Sequence, residues 1–358
     1  MKNVHNFSAG PAALPRQALE KAQASFLNYD ASQVSIMEMS HRSKTYENVH
    51  FQAISRLKSL MNLDEDTHVL FFQGGANLQF SMVPMNFLNN QSSYVLTGVW
   101  SEKAANEAKR FGTIDVQTQA KESGFSTIPS PDELSYNDEN SYLHITSNNT
   151  IYGTQWKTFP HQKLPLVCDM SSDILSRDID YNAFDLIYAG AQKNLGPAGV
   201  TIVVVKDSFL KNAHVDVSPM LSYQTFAKSQ SMYNTPPVFS IYMLNLVLEW
   251  IESEGGVSVI EARNEKKASL LYDIIDRSEG FYRGHAEKEA RSTMNVTFNL
   301  QNNDLEKMFL QEAEEAGLIG LPGHRLVGGI RASIYNAVPL ESCEVLAAFM
   351  DSFKRKHS

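Results

Sequence analysis

The chain has 358 residues, 43% of them hydrophobic and 10% aromatic, a size and apolar content that sustain one large domain plus a smaller one. Its formal net charge of −9 argues against nucleic acid or an anionic membrane as a partner. Cys168 and Cys343 are its only cysteines, too few for a disulfide scaffold or a thiolate zinc site, so a reducing cytoplasm is the expected compartment.

Residues 1–14 read as an irregular entry with Gly10-Pro11 as a breaker. They lack the apolar core of a secretory signal, and no later window approaches the ~20 apolar residues of a membrane span. A helix is expected from Pro15 or Arg16 to about Asn28, followed by a loop over 29–42 that contains SIMEMSHRS. Ser43 is placed to cap the next helix, which runs to about Met61 with Glu47 in its first turns. His41 and Arg42 therefore precede a helix N-terminus, where free amides favour anions, although such a pair is also ordinary solvated surface.

From there the chain alternates strand, turn and helix. Residues 68–73 read as a strand that breaks at Gly74-Gly75 before an apolar helix over 77–88, a turn at which backbone amides can approach a phosphate. A strand over 93–96 leads through Thr97-Gly98 to Trp100, at the mouth of a helix over 101–111, where the indole either packs in the core or stacks on a flat ring. Strands over 141–145 and 164–168 deliver Thr150 and Asp169 beyond their ends, and 132–141 is an acidic surface loop. A strand over 185–189 delivers Gln192, Lys193 and Asn194 into a bend that Gly196, Pro197 and Gly199 keep from becoming a helix, before a buried strand over 200–205. At the lip of a sheet a lysine can be desolvated, its pKa lowered and its amine made able to form a Schiff base; the same residue also reads as a plain solvated turn lysine.

This alternation predicts an α/β fold with a mainly parallel sheet and helices on both faces, and ligands beyond the carboxyl ends of the strands. Residues 218–237 read as a polar, aromatic loop of a length that is usually functional. Pro237 starts a long helix to about Glu254, and a second helix over 257–275 bridges into another domain. That domain is expected to hold a half-exposed strand over 293–300, a helix over 305–316, a strand over 330–333 and a closing helix over 340–354.

The strand-end residues form a set suited to pyridoxal phosphate. Lys193 offers an amine to its aldehyde, Gly75, Ala76, Asn77 and the Asn234-Thr235 pair offer amides or hydroxyls to its phosphate, and Asp169 offers a carboxylate to its ring nitrogen. Trp100 would cover one ring face, and Thr150 would hydrogen-bond either the phenolate oxygen or the phosphate. A second, basic set comprises His41-Arg42, His324-Arg325 and Arg331. Arginine binds carboxylate or phosphate in a planar fork, so this set suits a substrate carrying more than one anionic group.

The segments NFSAGPAALP, SIMEMSHRS, FQGGANLQF, TGVW, SNNTIYGT, DMSSDILS, AGAQKNLGPAG, YNTPP and GHRLVGGIRASIYNA span Asn6 to Ala337 in order. Together they resemble the phosphoserine aminotransferase family of the class V, pyridoxal-phosphate-dependent aminotransferases. The resemblance implies the type I fold, with a seven-stranded, mainly parallel sheet in a large domain (15–260) and a smaller α+β domain (1–14 and 261–358). It makes Lys193 the Schiff-base lysine and general acid-base, Asp169 the ring-nitrogen partner and Trp100 the stacking residue, with Ala76, Asn77, Thr150 and Gln192 as further contacts. Asn234-Thr235 would reach the phosphate of a neighbouring subunit's cofactor in a homodimer. His41, Arg42, His324 and Arg325 would hold the substrate phosphate or the distal carboxylate of glutamate, and Arg331 the α-carboxylate. The implied reaction is ping-pong transfer from glutamate to 3-phosphohydroxypyruvate in L-serine biosynthesis, with a side activity on a phosphorylated hydroxythreonine in pyridoxine biosynthesis. Some relatives carry serine in place of Ala9 and a basic side chain in place of Asn77, so those side-chain contacts are not expected here. A serine- or alanine-glyoxylate aminotransferase would leave two His-Arg pairs unexplained. A cysteine desulfurase would need a better-placed cysteine, and a protein that has lost catalysis is at odds with an intact Lys193 and Asp169.

Overall fold

The computed structural model describes residues 3–161 and 163–358. After a short strand β1 (His5–Asn6) and helix α1 (Arg16–Ser25), the Ser43 hydroxyl accepts from the Tyr46 amide at 3.3 Å and so opens α2 (Lys44–Leu60). Strand-turn-helix units follow: β2 (Thr67–Phe72) and α3 (Gly75–Phe87), then β3 (Gln91–Leu96) and α4 (Val99–Ala108), then β4 (Thr113–Gln119). β5 (Leu143–Thr146) runs into a small hairpin of β6 (Asn148–Asn149) and β7 (Thr154–Gln155), and β8 (Leu166–Asp169), β9 (Leu186–Gly190) and β10 (Thr201–Lys206) complete the main sheet.

The order of that seven-stranded sheet is β2-β10-β9-β8-β5-β3-β4, with β10 antiparallel to both neighbours and every other adjacent pair parallel. Successive side chains alternate between faces. Phe71, Ile145, Cys168 and Ile187 enter one core, and Leu70, Val167, Tyr188 and Val203 the other. Both faces are covered, which is why the strands are near-continuous apolar runs. The parallel register sets Thr146 beside Asp169 and Asp169 beside Tyr188, so the ends of β5, β8 and β9 open onto one place.

The chain then forms α5 (Asp207–Leu210), α6 (Tyr223–Lys228), α7 (Val238–Ser253) and α8 (Val257–Asp276). Next come β11 (Arg283–Gly284), β12 (Asn295–Asn299), α9 (Asn303–Glu315), β13 (Leu318–Ile319), β14 (Ile330–Ser333) and α10 (Leu340–His357). β11, β12 and β14 make an antiparallel sheet whose core takes Leu271 and Ile274 from α8 and Leu346 and Met350 from α10. Phe7 belongs to the same core, and β1 pairs in parallel with β13 through His5 and Leu318. The start of α8 is different: Val257 and Ile260 join the core of the main sheet. Lys267, on the same helix, is fully buried, and its Nζ donates to the carbonyls of Ile334, Tyr335 and Val338 at 2.8, 2.7 and 3.2 Å.

Four local expectations change. The 218–237 segment is not wholly irregular: Ser222 caps α6, whose Tyr223 and Phe226 are buried, Phe226 stacked on Phe72 at 4.2 Å. β12 is not half-exposed, because its polar side chains meet the main unit: Asn148 Nδ2 donates to Asn295 Oδ1 at 2.8 Å and Thr297 Oγ1 donates to the Tyr152 carbonyl at 2.8 Å. The edge strand β4 adds to the expected strands, and Ile114 and Val116 alternate with Asp115 and Gln117 in it. Finally, α4 begins at Val99, which puts Trp100 inside the first turn rather than ahead of it.

Candidate active site

Between β2 and α3 the backbone turns on two glycines, Gly74 at φ +87 and Gly75 at φ +70. Side chains rarely adopt those angles, and a Cβ on Gly74 would lie 2.6 Å from Leu78 Cδ2. The turn leaves the first amides of a 13-residue helix, those of Ala76 and Asn77 among them, without intrahelical acceptors at the edge of a cavity of about 160 Å³.

Lys193 enters the same cavity from the turn after β9. Leu195 and Gly196 donate their amides to the Ala191 carbonyl at 3.0 and 2.9 Å, closing the bend. From the other side the N-terminal segment closes on it: the Ala12 amide donates to the Gln192 carbonyl at 2.9 Å, and a Cβ on Gly10 would lie 3.5 Å from Lys193 Cγ. Lys193 Nζ donates to Thr150 Oγ1 at 2.8 Å and lies 5.9 Å from the centroid of the Trp100 indole. Burial lowers its pKa to about 8; the Asp169 carboxylate opposes that shift and Arg331 adds to it.

Asp169 sits at the carboxyl end of β8, its Oδ1 accepting from the Ser171 amide at 2.9 Å. Burial raises its pKa, while the Ser171 hydrogen bonds and Lys193 pull it down. Ser147 Oγ donates to the Asp169 carbonyl at 3.0 Å and also contacts the carboxylate of Asp173, which pairs with Arg177 at 3.7 Å. The Trp100 Nε1 is buried without a hydrogen-bond partner, a donor that a bound polar group would satisfy.

The cavity therefore gathers Gly75, Ala76, Asn77, Trp100, Thr150, Asp169, Gln192 and Lys193. Thr146, Asn148, Ser171 and Ser172 also line it and were not singled out from sequence. The signal was present, since they stand in TSNNT and DMSSD, directly after two strands. Other candidate residues lie outside this cavity. Asn234 lines a separate, apolar groove of about 290 Å³ that shares Gly74 with it, and the Thr235 carbonyl accepts from Gln73 Nε2 at 3.0 Å. His41 Nε2 is buried without a partner, and Arg42 is exposed ahead of α2. Arg331 lies on β14 opposite Thr297, its Nε likewise buried and unpaired. His324 and Arg325 stand in the 323–329 segment; burial, then Arg331, Arg325 and Lys103, lower the His324 pKa.

A half-buried lysine of lowered basicity, a buried carboxylate and a helix N-terminus, assembled at the strand ends of an α/β sheet, make a pocket with the chemistry to capture a carbonyl group and hold an anion beside it. The chain belongs to the class-V aminotransferase family, whose model, Aminotransferase class-V, matches residues 4–346. It is 59% identical to a phosphoserine aminotransferase of Shouchella clausii, over 100% of this chain and 98% of that one. To the phosphoserine aminotransferase of Bacillus subtilis it is 56% identical over the full length of both. Its structure superposes with a TM-score of 0.98 on the phosphoserine aminotransferase from Bacillus circulans subsp. alkalophilus, at 52% identity over 99% of each chain. A pyridoxal-phosphate-bound phosphoserine aminotransferase from Trichomonas vaginalis, 35% identical, gives 0.93 over 98% of this chain and 100% of that one.

Proposed function

We propose that the chain is a phosphoserine:2-oxoglutarate aminotransferase that uses pyridoxal phosphate and moves an amino group from glutamate to 3-phosphohydroxypyruvate in L-serine biosynthesis. The observation that carries this reading is Lys193: one amine of lowered pKa facing Thr150, Trp100 and Asp169 in a chain more than half identical to enzymes of that name. The residues present fit the cofactor, with an amine for its aldehyde, a buried carboxylate, an indole with a free N–H and the amino end of α3. When bound, the group supplies an aldehyde and an electron-withdrawing ring. Lys193 then serves as covalent anchor and as the base and acid that carries the proton at the substrate α-carbon. Asp169 would hold the proton of the ring nitrogen, Trp100 would pack against the ring, and Thr150 and Gln192 would orient the group.

In this reading Arg331 takes the substrate α-carboxylate, and His41, Arg42, His324 and Arg325 take the second anion. The enzyme works as a cytoplasmic homodimer in which Asn234 and Thr235 serve the partner's cofactor, which accounts for their place outside the cavity of their own chain. The boundary between a large domain over 15–260 and a small one over 1–14 and 261–358 is supported by Phe7 and the later part of α8 joining the second core. The side activity on a phosphorylated hydroxythreonine belongs to the same site.

The test is spectroscopic. Purified enzyme carrying its cofactor is mixed with L-phosphoserine or L-serine in separate cuvettes. Loss of the visible band with phosphoserine alone is the expected result; an equal response to both would move the function to a neutral-substrate aminotransferase.

A further inference from the structure

Trp100 and Lys103 stand one turn apart on α4, and Lys103 Nζ lies 4.5 Å from the indole centroid. Lys193 Nζ approaches the same ring at 5.9 Å, so the two ammonium groups are no farther apart than those two distances combined. Lys103 is exposed and does not line the cavity, but it rests on the one indole that does. An ammonium over an indole is not neutralised by a counter-charge and keeps N–H donors for a further partner.

No ion pair explains the position. Among the described residues Lys103, Arg325 and Arg331 have no carboxylate partner, whereas the adjacent Glu102 pairs outward with Lys121 at 3.6 Å. Val327, in the 323–329 segment, packs in one small apolar cluster with Val99 and Trp100, which brings His324 and Arg325 to the amino end of α4. The charges of Arg331, Arg325 and Lys103 all bear on His324. Cations that share this neighbourhood and, among the described residues, have no carboxylate at ion-pair distance make a place for an anion that comes from outside.

We propose that Lys103 is a specificity-determining residue, its ammonium meeting the second anionic group of the substrate at the rim between α4 and the 323–329 segment. This rests on the function proposed above and adds a residue to it. Held by the indole rather than by a carboxylate, the Lys103 charge serves phosphate or a distal carboxylate and leaves an uncharged side chain unaided.

The experiment compares wild type, Lys103→Gln and Lys103→Arg, with L-phosphoserine and L-alanine as donors and inorganic phosphate as inhibitor. Lys103→Gln should lower kcat/KM for phosphoserine about 5- to 10-fold, chiefly through KM, and raise the inhibition constant of phosphate by a similar factor. The alanine rate should stay within about twofold, the visible band should be unchanged, and Lys103→Arg should recover most of the loss. A phosphoserine-to-alanine ratio of kcat/KM that Lys103→Gln leaves unchanged, either because neither rate falls or because both fall equally, overturns the role of Lys103 alone. The second of these outcomes would make Lys103 a brace for Trp100. A wild-type enzyme that does not prefer phosphoserine overturns the functional reading and the role of Lys103 together.

Discussion

At the scale of single residues, the proposed chemistry would depend on how far the fold depresses the basicity of Lys193. Burial favours the neutral amine, and Asp169 works against it by favouring the ammonium. Capture of pyridoxal phosphate by the apoprotein should therefore rise with pH through about 8, well below the ordinary 10.5 of a lysine. Asp169→Asn removes the opposing charge, so the apparent pKa of capture should move further down while turnover falls by about 10²-fold or more. A pH titration of the rate of capture reads both effects, and an upward shift in Asp169→Asn would contradict the assignment. Lys193→Ala should still bind the cofactor noncovalently but lose at least about 10²- to 10⁴-fold in turnover, the share that proton transfer alone supplies. Near-normal turnover in that variant would remove Lys193 from the mechanism.

Among the elements, the turn that opens α3 is the sharpest case. Gly74 and Gly75 both have positive φ, but a Cβ at Gly74 strikes Leu78 while one at Gly75 meets nothing within 4 Å. Gly75→Ala should lose about 1–2 kcal/mol for the left-handed backbone alone. Gly74→Ala should lose more, because the clash adds to the strain, and the displaced helix start should weaken cofactor binding as well. Urea unfolding and cofactor titration of the two variants side by side test this; equal losses would mean that Leu78 yields freely. α6 illustrates how an element escapes a sequence reading. YQTFAK is too short and too polar for a clear helical period, and its two aromatic residues become core only because Phe72 and Phe87 of the main unit lie against them.

For the molecule as a whole, one buried lysine braces a segment that helps tie the second core to the active site. Lys267 collects three carbonyls of the segment after β14. In that segment the Asn336 amide donates to Asn194 Oδ1 at 3.0 Å, one residue from Lys193, and Tyr335 Oη donates to the Ala9 carbonyl at 2.9 Å. Arg331 stands just upstream on the same strand. Burial lowers the Lys267 pKa to about 7. Between there and its ordinary 10.5 the unfolded chain binds a proton that the folded chain does not, which leaves the folded amine two N–H donors for its three carbonyls, so this group makes stability rise with pH across that window, by at most about 1.4 kcal/mol per pH unit. Lys267→Met strands three carbonyls and should lose about 3 kcal/mol or more. It should also lack that pH-dependent rise, as urea unfolding at pH 7.5 and pH 9.5 would show (the two pH values bracket roughly the steep part of the titration). An unchanged pH slope in the variant would mean that Lys267 stays charged throughout.

Much of this molecule is legible in the sequence because its signals are local. A strand buried on both faces is apolar along its whole length, a glycine pair marks the turn before α3, and Ser43 marks the start of α2; each needs only its neighbours in the chain. The same holds for the types of residue in the site, since Asp169 ends a strand and Lys193, Trp100 and Thr150 follow strand ends closely. What only the tertiary structure decided is which surfaces meet. The β5-β8-β9 register that brings Asp169 to Thr146, the cover that buries β12, the carbonyls that gather round Lys267 and the packing of the 323–329 segment in one cluster with Trp100 all join residues distant in the chain. Their free energy comes from desolvation and pairing between such partners, which no local pattern of side chains records.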